Sequence, residues 1–208
     1  MIFICLLFLL RYGTEVLETA EGGLFKILHI PCWVEILAVF FICDLFVYLF
    51  HVASHKLPIL WKFHRAHHTD IFVDATTSFR RHLGEVVILD LIFLFIVFPI
   101  FGISFIQFAL YQVVVDSISV FHHSNIIMPI KLDNALSLVI VTPNMHRIHH
   151  SDINIETDSN YSTVFSFWDR LFRTYKTKDN LKNIRYGLKE FTEPHWQTFK
   201  GLLVTPFA

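Results

Sequence analysis

From Val86 to Phe121 the chain is predominantly apolar, a run of about 36 residues. One straight helix of that length reaches roughly 54 Å at 1.5 Å per residue, whereas the hydrocarbon core of a bilayer is about 30 Å thick. The run therefore suits two short helices, with Pro99 and Gly102 supplying the break. The expectation is a helical hairpin that returns to the side from which it started. Pro31–Phe50 is a second apolar run, about 20 residues long and sufficient for one crossing, and proline suits the first turn of a helix. Ile2–Leu10 is apolar but too short to span. It lacks the basic leader and small-residue cleavage site of a signal peptide. It reads as a membrane-dipping helix or the end of a longer one.

Composition agrees with a membrane protein. Hydrophobic residues make up 54% of the chain and charged residues 17%, against about 25% charged in soluble domains. The excess is concentrated in the runs, where most of the 23 phenylalanines also lie. A net charge of −1 offers no electrostatic basis for binding nucleic acid. Cys5, Cys32 and Cys43 sit in or beside apolar stretches, which suits small buried side chains better than a disulfide framework. Basic residues flank the hairpin: Lys56, Lys62, Arg65, Arg80 and Arg81 before it, Lys131, Arg147, Arg170, Arg173 and Lys176 after it. Such residues favour the cytoplasmic side. The reading is an all-α, multi-pass membrane bundle with a cytoplasmic histidine-rich cap. Residues 1–30 form an N-terminal segment, 31–176 the membrane domain and 177–208 a C-terminal tail.

The 13 histidines are unusual in placement as well as number. His51 and His55 are spaced i, i+4, so one helix face carries both. His64, His67 and His68 combine an i, i+3 pair with an adjacent residue that can turn toward a second metal. His146, His149 and His150 repeat that spacing, and His122 and His123 end the hairpin. All four groups fall just outside apolar runs on the same inferred side. Neutral imidazole is a good ligand for iron, zinc and copper, and this many histidines suit two ions better than one. Structural zinc often recruits cysteine, and none lies near these groups. Oxidation of an inert hydrocarbon needs a metal that activates dioxygen. The pattern thus favours two irons, with zinc compatible by ligand chemistry. Two other classes stand beside an oxygenase: a zinc-dependent membrane hydrolase, whose H-E-x-x-H hallmark is absent, and a non-catalytic metal-binding membrane protein.

Asp44 lies inside the first span, where an ionisable residue is a functional candidate by default. Metal-bound imidazoles usually donate their second N–H to a carboxylate or carbonyl. Asp44, Asp74, Asp158 and Asn160 are candidates to receive such bonds. The Trp168-Asp169-Arg170 stretch suits packing and a salt bridge that lock the C-terminal cap.

From Asp44 to Tyr175 these features resemble the fatty acid hydroxylase / sterol desaturase superfamily, which also includes alkylglycerol monooxygenases. The resemblance rests on Asp44-x-x-x-Tyr48, the histidine groups, Leu60-Trp61, Thr77, Arg81-His82-x-x-Glu85, His123-Ser124-Asn125, Asp158-x-Asn160-Tyr161 and Phe167-Trp168-Asp169-Arg170-Leu171-Phe172. It implies a di-iron centre on the cytosolic face of a helical membrane domain, held by His51, His55, His64, His67, His68, His123, His146, His149 and His150. His123 is preferred to His122 because it heads the His-Ser-Asn triplet, and His82 is a further ligand or hydrogen-bonding candidate. Leu83 and Ser162 stand where that superfamily often has proline and glycine, which bears on loop shape rather than on ligands. The implied reaction takes dioxygen as cosubstrate and two electrons and hydroxylates or desaturates a lipid. The electrons would come from a separate electron-transfer protein.

Overall fold

The computed structural model of the chain describes residues 22–208; the Ile2–Leu10 run and Cys5 lie outside them. Among the described residues the fold is all-helical, with two isolated β-bridges, Ile140–Phe165 and Ser151–Tyr186, and no strand. Three helices are long and apolar enough to cross a membrane. They are α2 (Cys32–Lys56), α4 (Leu83–Phe101) and α5 (Phe105–His123), with short α1 (Leu24–Leu28) preceding them and α3 (Pro58–His68) between the first two. At 19 residues each, α4 and α5 reach about 28 Å, close to the hydrocarbon thickness.

The corner between α2 and α3 follows from one proline. Pro31 caps α2, its carbonyl accepting the Val34 and Glu35 N–H groups at 2.9 and 3.0 Å. No breaker follows until Pro58, so the helix runs past Phe50 through His51 and His55 to Lys56. A residue before proline is driven out of the helical region, and Leu57 is extended (φ −98, ψ 117). Pro58 then opens α3, where its missing N–H costs nothing. With only Leu57 between them, α3 folds back and brings His64, His67 and His68 to the end of α2.

The expected hairpin is present, but Pro99 and Gly102 act differently. Pro99 lies within α4, four residues after Phe95, whose carbonyl would otherwise receive its N–H. The preceding turn, Phe93–Val97, widens to π-helix, with the Phe98 N–H bonded to the Phe93 carbonyl. That accommodates the ring without breaking the helix. Gly102, at φ 74, ends α4 in the left-handed region. Gly23 (φ 110) packs on it so closely that a Cβ at Gly23 would overlap the Gly102 backbone. Ser104 and Gln107 form a reciprocal capping box that starts α5, and Gln107 Nε2 also donates to Glu35 Oε1 at 2.7 Å. The starts of α2 and α5 are thus tied at one end, and the ends carrying histidines meet at the other.

Between the spans lies an apolar core of Val39, Cys43, Phe93, Phe98, Phe108 and Tyr111. Trp33, Phe95, Ile106 and Val113 face outward, each about two-thirds exposed, as suits hydrocarbon contact. After α5 the chain forms α6 (Ile130–Leu136), α7 (Pro143–His149), α8 (Asn154–Thr157), α9 (Phe167–Leu171) and α10 (Phe199–Val204). Residues beyond 177 are bound back onto the histidine end: Arg65 Nη2 donates to the Thr205 carbonyl at 2.6 Å, and Arg80 Nη2 to that of Trp196 at 2.9 Å.

Candidate metal centre

The nine histidines that the resemblance implies as ligands converge as two adjacent groups. In the first, His51 and His55 from α2, His64 and His68 from α3 and His149 from α7 each bring one ring nitrogen within 4.8 Å of all the others. In the second, His67, His123, His146 and His150 do the same. Adjacent residues divide between the groups. His67 and His68 point apart around α3, as do His149 and His150 at the end of α7, because neighbouring helical residues are about 100° apart. The groups touch, the His68 and His150 rings lying 4.7 Å apart.

Most of these rings are held by Nδ1. His51 Nδ1 donates to the Tyr161 carbonyl at 2.7 Å, His149 Nδ1 to that of Ser159 at 2.7 Å and His123 Nδ1 to that of Ser119 at 2.7 Å. His67 Nδ1 reaches the Arg80 carbonyl at 3.2 Å, and His64 Nδ1 donates to Glu85 Oε1 at 2.7 Å. His55 Nδ1 lies 3.4 Å from Asp158 Oδ1. A proton on Nδ1 leaves the Nε2 lone pair free, the arrangement usual in metal-bound histidine.

Those Nε2 atoms have no ordinary hydrogen-bond explanation. Nε2 of His51, His55 and His149 is buried without a partner. In the second group the Nε2 atoms face one another: His67 to His123 at 3.2 Å, His123 to His146 at 2.9 Å and His146 to His150 at 3.1 Å. Facing lone pairs repel unless a cation lies between them. Ligands about 2.1 Å from a shared metal sit about 3.0 Å apart at right angles and about 3.4 Å apart at a tetrahedral angle. The donor set therefore fits two metal ions. Burial, and then the charges of neighbouring histidines, hold His67, His68, His146 and His150 well below the usual imidazole range. Burial lowers His149 to about 3. These rings are neutral near pH 7, as metal binding requires.

The other candidates divide. Asp158 sits beside His55 and also receives Lys56 Nζ at 2.7 Å. Asp44 instead accepts the Val164 and Phe165 N–H groups at 3.2 and 3.0 Å and Trp168 Nε1 at 2.9 Å. Fully buried, it anchors the cap on α2 and touches no histidine. Asp74 caps a 3-10 turn, Ala75–Phe79, through the Thr76 N–H. Asn160, at φ 53, bonds the Met145 and Lys176 carbonyls and accepts the Lys176 N–H. His82 is outside both groups: Nδ1 accepts the Gly84 N–H at 2.9 Å, capping α4, and Nε2 donates to the Leu203 carbonyl at 3.2 Å. His122 is buried against His146, ring centroids 4.0 Å apart, and joins neither group. Asp169 locks the cap, but by accepting the Tyr161 and Ser162 N–H groups and the Thr174 hydroxyl. Arg170 stacks on Tyr175 instead of pairing with it. Glu85 was visible in the Arg81-His82-x-x-Glu85 stretch, but a glutamate three residues after a helix cap is ordinarily a helix-terminal residue.

A cavity of about 120 Å³ opens from the histidines between α4 and α5. Phe50, Leu89, Phe93, Phe108 and Val115 form its apolar wall.

Sequence comparison with known proteins identifies relatives of the chain. The family model described as fatty acid hydroxylase matches residues 36–174, more than half of the chain. Alkylglycerol monooxygenase of Danio rerio is 29% identical over 161 residues, covering 75% of this chain and 32% of that protein. Ornithine lipid hydroxylase of Rhizobium tropici is 26% identical over 176 residues, 80% of this chain and 48% of that protein. A very-long-chain aldehyde decarbonylase of Oryza sativa is 29% identical over 142 residues, 64% of this chain and 22% of that protein. The chain thus spans about a third of the alkylglycerol monooxygenases it matches and about half of the ornithine lipid hydroxylase. No solved structure matches it significantly. The extent of the family match, over the residues that carry all nine clustered histidines, makes this chain a member of the fatty acid hydroxylase family.

Proposed function

We propose that the chain is a membrane-bound di-iron oxygenase that hydroxylates or desaturates a lipid with dioxygen and electrons from a separate protein. The observation that carries this reading is the pair of adjacent all-histidine groups, their Nε2 atoms convergent, at the mouth of a largely apolar cavity between two candidate spans. His51, His55, His64, His68 and His149 would hold one iron, and His67, His123, His146 and His150 the other. When bound, iron supplies the dioxygen chemistry needed to oxidise an unactivated C–H bond.

The protein's own part is positioning and exclusion of water. Carbonyls of Tyr161, Ser159 and Ser119 and the carboxylate of Glu85 fix the rings with Nδ1 protonated, as preorganisation of a metal site requires. The phenylalanines of the cavity wall admit a hydrocarbon segment and keep bulk water out. Hydroxylation consumes dioxygen, two electrons and two protons and yields an alcohol and water. Relatives named as a monooxygenase and a lipid hydroxylase support lipid oxidation. The basic residues Lys56, Lys62, Arg80, Arg81 and Arg147 cluster by sequence at the histidine ends of the spans, and favour a cytoplasmic centre on a multi-pass protein.

Oxygen uptake by iron-loaded protein in lipid nanodiscs, with a chemical reductant, tests the reading. Uptake stimulated by lipid and abolished in His67→Ala is expected. Bound zinc in iron-sufficient medium together with no uptake would overturn it in favour of hydrolysis.

A further inference from the structure

The cavity has a second character besides its phenylalanines. Asp90 of α4 and Asp116 of α5 both line it, with Gln112, Arg81 and Glu85. By helical rise, Asp116 lies about 10 Å along α5 from His123, and Asp90 about 8 Å along α4 from Glu85. Both are inside candidate spans, where an ionisable side chain is costly and usually serves a site. Asp116 accepts one bond, from Gln112 Nε2 at 3.0 Å. The Asp90 carboxylate makes no hydrogen bond or ion pair with the described residues; the nearby positive charge is Arg81. Arg81 lies 3.8 Å from Glu85 Oε1, which already receives His64. Glu85 is 4% exposed, and its Oε2 is buried without a partner on the same cavity. Three carboxylates therefore face one cation across a space continuous with the histidines.

Resting on the oxygenase reading, we infer that the substrate is an amine-bearing lipid whose ammonium group is held between Asp90 and Asp116, within about 10 Å of the oxidised carbon. A plain alkyl chain would press methylenes against both carboxylates and supply a countercharge to neither, leaving Asp90 without a partner and Asp116 with only the Gln112 amide, a large desolvation cost. A hydroxyl offers a hydrogen bond without a charge. An ammonium supplies both in a space already walled by Phe93 and Phe108. Asp90 and Asp116 then determine which lipid enters and which carbon meets the centre.

The test is photoaffinity labelling of the full chain in phosphatidylcholine nanodiscs. Three diazirine probes of equal chain length are compared: a long-chain amine, the matching alcohol and the matching hydrocarbon. The amine is expected to label α4 and α5 peptides at least about tenfold more than the other two, a factor worth about 1.4 kcal/mol. The D90N/D116N double variant brings the amine down to the level of the hydrocarbon while metal content is unchanged, and D116E retains the preference. Equal labelling by all three probes, or amine labelling that survives the double variant, overturns the inference. Labelling needs no turnover and no metal, whereas failure of the oxygenase reading shows in metal content and oxygen uptake. The two failures are therefore distinguishable.

Discussion

Glu85→Ala removes the one carboxylate that receives a ring N–H from the first histidine group at 2.7 Å. Both partners are buried, with His64 5% and Glu85 4% exposed, so water cannot readily replace the lost acceptor. His64 then loses the bond that fixes its ring and tautomer. Such outer partners are worth about 10–100-fold in metal affinity, or about 1.4–2.7 kcal/mol. The loss should be confined to one metal. In the second group the Nδ1 atoms of His67 and His123 are held by the backbone carbonyls of Arg80 and Ser119, which the substitution leaves in place. The assay is iron content of detergent-purified, anaerobic protein across a series of buffered free-iron concentrations. Where wild type is saturated, Glu85→Ala should fall toward half the iron, and Glu85→Gln, which keeps an acceptor oxygen, should fall less. Unchanged affinity, or equal loss of both irons from folded protein, would refute the reasoning.

Asp44→Ala strips the acceptor from two backbone N–H groups and the Trp168 indole; at about 1–3 kcal/mol for each stranded donor, thermal unfolding should show a loss of at least about 3 kcal/mol. His82→Ala should keep both metals and cost about 1 kcal/mol through the lost helix cap, whereas His67→Ala should empty the second group; metal analysis separates them. Gly201→Ala would drive a Cβ into the His195 carbonyl and the Trp196 backbone, so limited proteolysis should cut the C-terminal residues faster.

How much of this was legible depended on distance along the chain. The i, i+3 and i, i+4 spacings within single helices marked His51 with His55, His64 with His67 and His68, and His146 with His149 and His150, because helical geometry is local, while the choice of His123 over His122 came from the family resemblance. The hairpin was legible from length and from Gly102. The division into two groups was not, since whether His67 or His68 joins His149 depends on how α3 and α7 cross. Carboxylate roles were harder still. Asp44 bonds residues about 120 positions away, and its own surroundings in sequence carry no trace of them. Five ring nitrogens look to carbonyls or to Glu85 instead of the expected aspartates; every residue has a carbonyl, so composition could not single these out. Pro99, read as a break, was absorbed by a π-turn because the helix could widen locally.

The central claim is most directly tested by the metal content of protein expressed with ample iron and purified without oxygen, beside His67→Ala. The account predicts about two irons per chain in the wild type and about one in the variant, as two separate all-imidazole groups require. Well-folded wild-type protein that binds no metal, or a single ion that survives loss of His67, would contradict it.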